Sequence, residues 1–199
     1  MSMSKKLLLH ACCAPCSSGV VPQLEDLDIT LLFYNPNIDS LDEWNKRADA
    51  MTRYVKQYNK EYKKDIKLIT IPYNHEEFLK GAKGLEEEKE GGKRCDFCIA
   101  TRLDFTAKYA KENGYDTFAS TLSVSPHKDY NTINSIGTIL ANKYDIEYLP
   151  SNFKKNNGFL MSIKNSDKYK LYRQGYCGCE FALSMQKSSK KDSHPISNG

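Results

Sequence analysis

The chain has 199 residues, 40% of them hydrophobic, and a net charge of +4, which suits one soluble domain. It has no run near the ~18 apolar residues of a membrane span, and the apolar stretch near its start is too short for a secretory signal, so a cytosolic protein is expected. There thiols stay reduced, and the seven cysteines argue against a disulfide framework and for metal binding or catalysis.

In chain order, Lys5–Ala11 is a short apolar run and reads as a buried first strand. A helix is predicted over Ser17–Leu27, and a second buried strand over Ile29–Tyr34, closed by the turn residues Asn35, Pro36 and Asn37. Asp39–Lys64 reads as a long charged helix, with Ser40 and Glu43 spaced as a capping box. Ile66–Tyr73 is a third strand, and His75–Gly92 a polar, glycine-punctuated stretch with a short helix. A helix follows over Asp96–Gly114, with Ile99, Leu103, Ala107 and Ala110 at helical spacing. Thr117–Leu122 is a fourth strand, Asn131–Tyr144 a helix and Asp145–Leu149 a fifth strand. Phe153–Leu183 reads as basic and less regular. Residues 1–187 are expected to form one α/β catalytic domain, 151–187 being its basic C-terminal part, with a disordered tail over 188–199.

Strands that alternate with helices imply βαβ units and a parallel, doubly wound sheet. Functional loops of such sheets lie at the carboxyl ends of the strands. HACCAPCS, YNPN, PYNH and TLSVSPHKD fall in those positions after strands one to four.

The cysteines fall in three groups: Cys12, Cys13 and Cys16; Cys95 and Cys98; Cys177 and Cys179. Cys95 and Cys98 sit at a helix start, where the dipole together with Lys93 and Arg94 favours thiolate. Cys12 and Cys13 are adjacent, so both reach one metal centre only if the chain leaves strand geometry, and Ala14-Pro15 supplies a turn. These two pairs offer four thiolates, suited to zinc or an iron–sulfur cluster, and the irregular spacing favours the cluster. Cys16 can be a further ligand or a small buried hydrophobe. Cys177 and Cys179 span at most about 7 Å between Cα atoms, so a bridge is feasible but strained, and a strained bridge is a redox device. Two more metal ligands are the other reading. Between Ser151 and Lys191 nine basic residues face two acidic ones, which suits a polyanionic partner or a solvated basic surface.

Together, HACCAPCS (10–17), YNPNI (34–38), EWNKR (43–47), RCDFCIATRLDFTAKYA (94–110), TLSVSPHKD (121–129) and YRQGYCGC (172–179) resemble the QueH-type epoxyqueuosine reductases. The resemblance implies a HUP-like fold, akin to adenine nucleotide alpha hydrolases. It implies two-electron reduction of the epoxide of epoxyqueuosine at the tRNA wobble position, the last step of queuosine synthesis. It further implies a [4Fe–4S] cluster on Cys12, Cys13, Cys95 and Cys98, and a redox-active disulfide pair in Cys177 and Cys179. A second mononuclear metal ion is allowed, with no ligands assigned. Candidate substrate contacts are Tyr34, Asn35, Asn37, His127, Lys128, Tyr130 and Arg173, with His10 orienting the cysteine loop. Expected partners are tRNA carrying epoxyqueuosine and an external electron donor, with the protein a monomer. Competing readings are a zinc-containing tRNA-binding protein, which leaves CGC idle, and a thiol–disulfide oxidoreductase, which leaves the CC pair unexplained. ATP-dependent tRNA thiolation lacks its glycine-rich phosphate loop.

Overall fold

The computed structural model describes residues 4–183 except 127 and 151, so His127 and the tail expected over 188–199 lie outside the described residues. Five parallel strands form one sheet in the order β3-β2-β1-β4-β5. They are β1 (Lys6–His10), β2 (Asp28–Phe33), β3 (Lys67–Thr70), β4 (Thr117–Ser120) and β5 (Glu147–Tyr148). The helices are α1 (Ala14–Val20), α2 (Leu41–Tyr62), α3 (His75–Ala82), α4 (Lys93–Glu112), α5 (Tyr130–Tyr144) and α6 (Gly158–Lys168). This is the parallel, doubly wound α/β architecture expected, with the order reversing on either side of β1.

Both faces of the sheet are covered, so its strands read as continuous apolar runs. Side chains alternate across the sheet. Leu7, Leu9, Leu31 and Phe33 pack with Val20, Met51 and Tyr54 from α1 and α2. Leu8 and Leu32 pack on the opposite face with Ile99, Leu103, Ile133 and Leu140 from α4 and α5. Burying each such side chain contributes about 1.5–3 kcal/mol.

Several boundaries differ from expectation for local reasons. The first helix begins at Ala14, because the Cys13 side chain caps it and Pro15 occupies its first turn; a 3₁₀ turn over Val21–Gln23 ends it near Pro22. The fourth strand stops at Ser120, whose side chain accepts from the Leu122 amide and starts a 3₁₀ turn over Thr121–Val124. The capping box at α2 is only half formed. Ser40 Oγ accepts from the Glu43 amide at 3.3 Å, but the Glu43 carboxylate turns to Arg47. The basic stretch read as irregular contains α6. Its buried positions are Gly158, Ser162 and Ser166, so it has no apolar stripe. It docks by close backbone approach: a Cβ on Gly19 of α1 would lie 2.4 Å from the Gly158 carbonyl oxygen.

Candidate thiol-lined active site

The turns after β1, β2 and β4, the start of α4 and the segment 173–179 surround one cavity of about 340 Å³. All seven cysteines line it.

The turn after β1 is held from below. Fully buried His10 links Ser120 Oγ (2.9 Å) and the Tyr34 carbonyl (3.1 Å), and Asn35 Nδ2 donates to the Ala11 carbonyl at 3.0 Å. Burial, reinforced by Arg102, pulls the His10 pKa down to about 4, so this histidine is a neutral strut at physiological pH. The backbone leaves strand geometry at Cys13, whose sulfur accepts from the Cys16 amide at 3.5 Å while heading α1. The Cys12 and Cys13 sulfurs are 3.9 Å apart, and those of Cys12, Cys13 and Cys16 all lie within 4.8 Å of one another. Three thiols so placed can hold a metal ion. The Thr121 hydroxyl donates to Cys12 Sγ at 3.3 Å. Hydrogen bonds from Cys13 and Cys16, then Thr121, outweigh burial and hold the Cys12 thiol below its usual range, whereas Cys13 is pushed up to about 12.

Cys95 and Cys98 occupy the first turns of α4, and both are buried. The Gly91 amide donates to Cys95 Sγ at 3.2 Å. Burial raises the Cys98 thiol. Arg94, 1% exposed, donates from Nη1 to the Leu85 and Glu86 carbonyls (2.9 and 2.8 Å), and Arg102 Nε donates to the Cys98 carbonyl (3.1 Å).

Cys177 and Cys179 are free thiols with sulfurs 3.8 Å apart across Gly178, whose φ of +119° favours glycine. A hydrogen bond from Cys179, then the charge of Lys128, pull the Cys177 thiol down to about 6 against the opposing effect of burial. Cys179 is driven upward as the donor of that bond.

Among the described residues, five cationic side chains line the cavity, those of Arg47, Arg94, Arg102, Lys128 and Arg173, against the single carboxylate of Glu90. Of the sequence candidates for substrate contact, Asn37, Lys128 and Arg173 line it. Tyr34 instead donates to Glu77 Oε1 at 2.7 Å and stacks on Phe105, Asn35 braces the cysteine turn, and Tyr130 opens α5; none of these three lines the cavity. Arg47, Arg102 and Phe159 were given no role by sequence. The first two lie inside the EWNKR and RCDFCIATRLDFTAKYA segments, which is the available signal.

The residues fit a thiolate-held, anionic metal group. Donors already point at the sulfurs of Cys12, Cys13 and Cys95, and the wall carries excess positive charge. Fold and site thus define an α/β protein with a cationic, thiol-walled cavity at the carboxyl edge of its sheet.

A family model described as epoxyqueuosine reductase QueH matches residues 7–185. The chain is 43% identical over 186 residues to the epoxyqueuosine reductase QueH of Streptococcus pyogenes serotype M1, covering 93% of this chain and 73% of that one. It is 33% identical over 180 residues to that of Thermotoga maritima, covering 89% and 90%. Among solved structures, a chain described as a predicted subunit of tRNA methyltransferase from Methanocaldococcus jannaschii aligns over 83% of this chain and 74% of that one, at 16% identity and a TM-score of 0.47. The chain belongs to the epoxyqueuosine reductase QueH family.

Proposed function

We propose that this protein reduces the epoxide of epoxyqueuosine in tRNA to the cyclopentene of queuosine, with Cys177 and Cys179 as the immediate electron source. The convergence of all seven cysteines on one cationic cavity supports this reading within the family. Cys12, Cys13, Cys95 and Cys98 would hold a [4Fe–4S] cluster. Such a cluster, when bound, supplies a Lewis-acidic and redox-active metal surface.

The balance closes on this chain's own thiols. Two C–O bonds of the epoxide break, a C=C π bond and one S–S bond between Cys177 and Cys179 form, and the oxygen leaves as water with the Cys179 proton and one proton from solvent. Cys177 supplies the thiolate and Cys179 retains its proton until closure, in line with their opposite shifts. An external reductant of the dithiol class then reopens the disulfide. Lys128 and Arg173 contact the phosphates of the tRNA, and the other basic residues beyond Phe153 steer the polyanion.

A second reading has a specific observation behind it. The 3.9 Å spacing of Cys12 and Cys13 is close to the edge of a thiolate tetrahedron around one ion, about 3.8 Å for metal–sulfur bonds of about 2.3 Å. Cys12, Cys13 and Cys16 would then hold a mononuclear ion in place of the cluster.

The test is an anaerobic assay of epoxyqueuosine loss from tRNA, with iron and sulfide measured on the same preparation. Brown protein with equal iron and sulfide is expected, along with activity that vanishes in the Cys177→Ala, Cys179→Ala double variant. Undiminished turnover by that variant would refute the dithiol role. A colourless zinc protein would refute the cluster.

A further inference from the structure

The EWNKR segment at the start of α2 contributes no group to the chemistry above, yet it holds the best-organised polar contacts of the site. Arg47 is 2% exposed. Its Nε donates to Glu43 Oε1 at 2.7 Å, its Nη1 to the Cys177 carbonyl at 3.1 Å and its Nη2 to the Tyr176 carbonyl at 3.3 Å. Its guanidinium also lies 5.5 Å from the centre of the Tyr176 ring. Glu43 is fixed in turn, since its other oxygen accepts from the Tyr172 hydroxyl at 2.7 Å. Two more donors come from the same stretch of chain. The Asp39 amide donates to the Gly178 carbonyl at 2.8 Å and Asn37 Nδ2 to that of Cys177 at 3.4 Å. Three consecutive carbonyls of the CGC loop are thus held by residues 37–47. Gly178 fits under this grip because a Cβ there would meet Arg47 Nη1 and Asn37 Nδ2, each at 3.1 Å.

A buried ion pair is a poor way to add stability, since desolvation offsets the attraction and an apolar pair of similar volume serves as well. This one spends its free donors on a single short loop. The hydrogen bonds go to backbone, so they fix the loop's geometry. With the backbone held, the two sulfurs wait 3.8 Å apart, against about 2.05 Å in a closed disulfide.

We propose that Arg47, oriented by Glu43, is a positioning residue that holds the Cys177/Cys179 loop in the conformation from which its disulfide closes, and so sets the redox poise of the pair. The proposal rests on the redox role given to these thiols above. Pre-ordering the dithiol lowers the entropic cost of closing it, which favours the disulfide and makes the couple more reducing. Releasing the loop shifts the couple the other way.

The experiment equilibrates the cofactor-loaded protein in dithiothreitol redox buffers. It reads the oxidised fraction of the tryptic peptide that begins at Gln174, which carries both cysteines. In the Glu43→Gln, Arg47→Met double variant, which leaves no lone buried charge, the disulfide-forming equilibrium constant is expected to fall about tenfold, a rise of about 30 mV for a two-electron couple. Iron content and the urea unfolding midpoint should stay close to wild type. Arg47→Lys keeps the charge but not the two-carbonyl fork, and should shift in the same direction by less. It decides the matter if the double variant fails to fold. A wild-type potential in a folded variant would overturn the positioning role alone. A wild-type protein that forms no Cys177–Cys179 disulfide at any poise would overturn the redox reading as well, so the two failures are distinct.

Discussion

Gly19→Ala tests how the α6 wall of the cavity is attached. Gly19 lies on α1, whose first turn carries Cys16, and faces the first turn of α6, which carries Phe159 and Ser162 of the cavity wall. An alanine Cβ would stand 2.4 Å from the Gly158 carbonyl oxygen and 3.0 Å from Ser162 Cβ. The obstacle is backbone, so no rotamer relieves it. The helices must part by about 1 Å before the shorter contact reaches the ordinary 3.4 Å. Overpacking of this kind costs about 1–3 kcal/mol, and a backbone obstacle places it near the top of that range. Alanine's better helix propensity returns about 1 kcal/mol. The net loss is about 2 kcal/mol, or a Tm lower by about 4–8 °C in a chain of this size. Gly175→Ala is the control: a Cβ there meets nothing within 4 Å, and the variant should be neutral or more stable by up to about 1 kcal/mol. Thermal and urea unfolding of both variants and wild type measure this. A Gly19→Ala protein as stable as wild type would refute the close α1–α6 packing.

Two further outcomes concern the site itself. With the Cys177 thiol at about 6, iodoacetamide alkylation of Cys177, followed on its peptide, should rise with pH with a midpoint near 6 and level off about a unit above it, because only the thiolate attacks. In Cys179→Ala the stabilising donor is gone and the midpoint should move up; an unmoved midpoint would show that the hydrogen bond is not the cause. Lys128→Ala and Arg173→Ala should each weaken tRNA binding and flatten the plot of log K against log salt by about 0.7–0.9 for each phosphate no longer neutralised, as measured by filter binding. An unchanged slope would place the phosphates elsewhere.

Apolar runs of four to six residues, broken by turns and alternating with 3.6-period stripes, carried the strand and helix order of the parallel sheet, because a sheet buried on both faces must be apolar throughout. The cysteine groups marked the site for an equally local reason: no other residue type in the chain is so clustered. Helix α6 was invisible at this level, since its buried side is Gly158, Ser162 and Ser166, and close backbone approach leaves no hydrophobic signature. Residue spacing likewise placed no atom of Arg47 near Cys177, about 130 positions away. That meeting exists only because the turn after β2 and the 172–179 segment fold onto the same sheet edge. Residue types were enough to say which chemistry the chain carries, thiols and cations, because side-chain identity alone decides what can be a ligand, an electron donor or a phosphate contact. Which thiols meet, at what distance and under whose grip came only from the folded chain, because those depend on how remote segments pack.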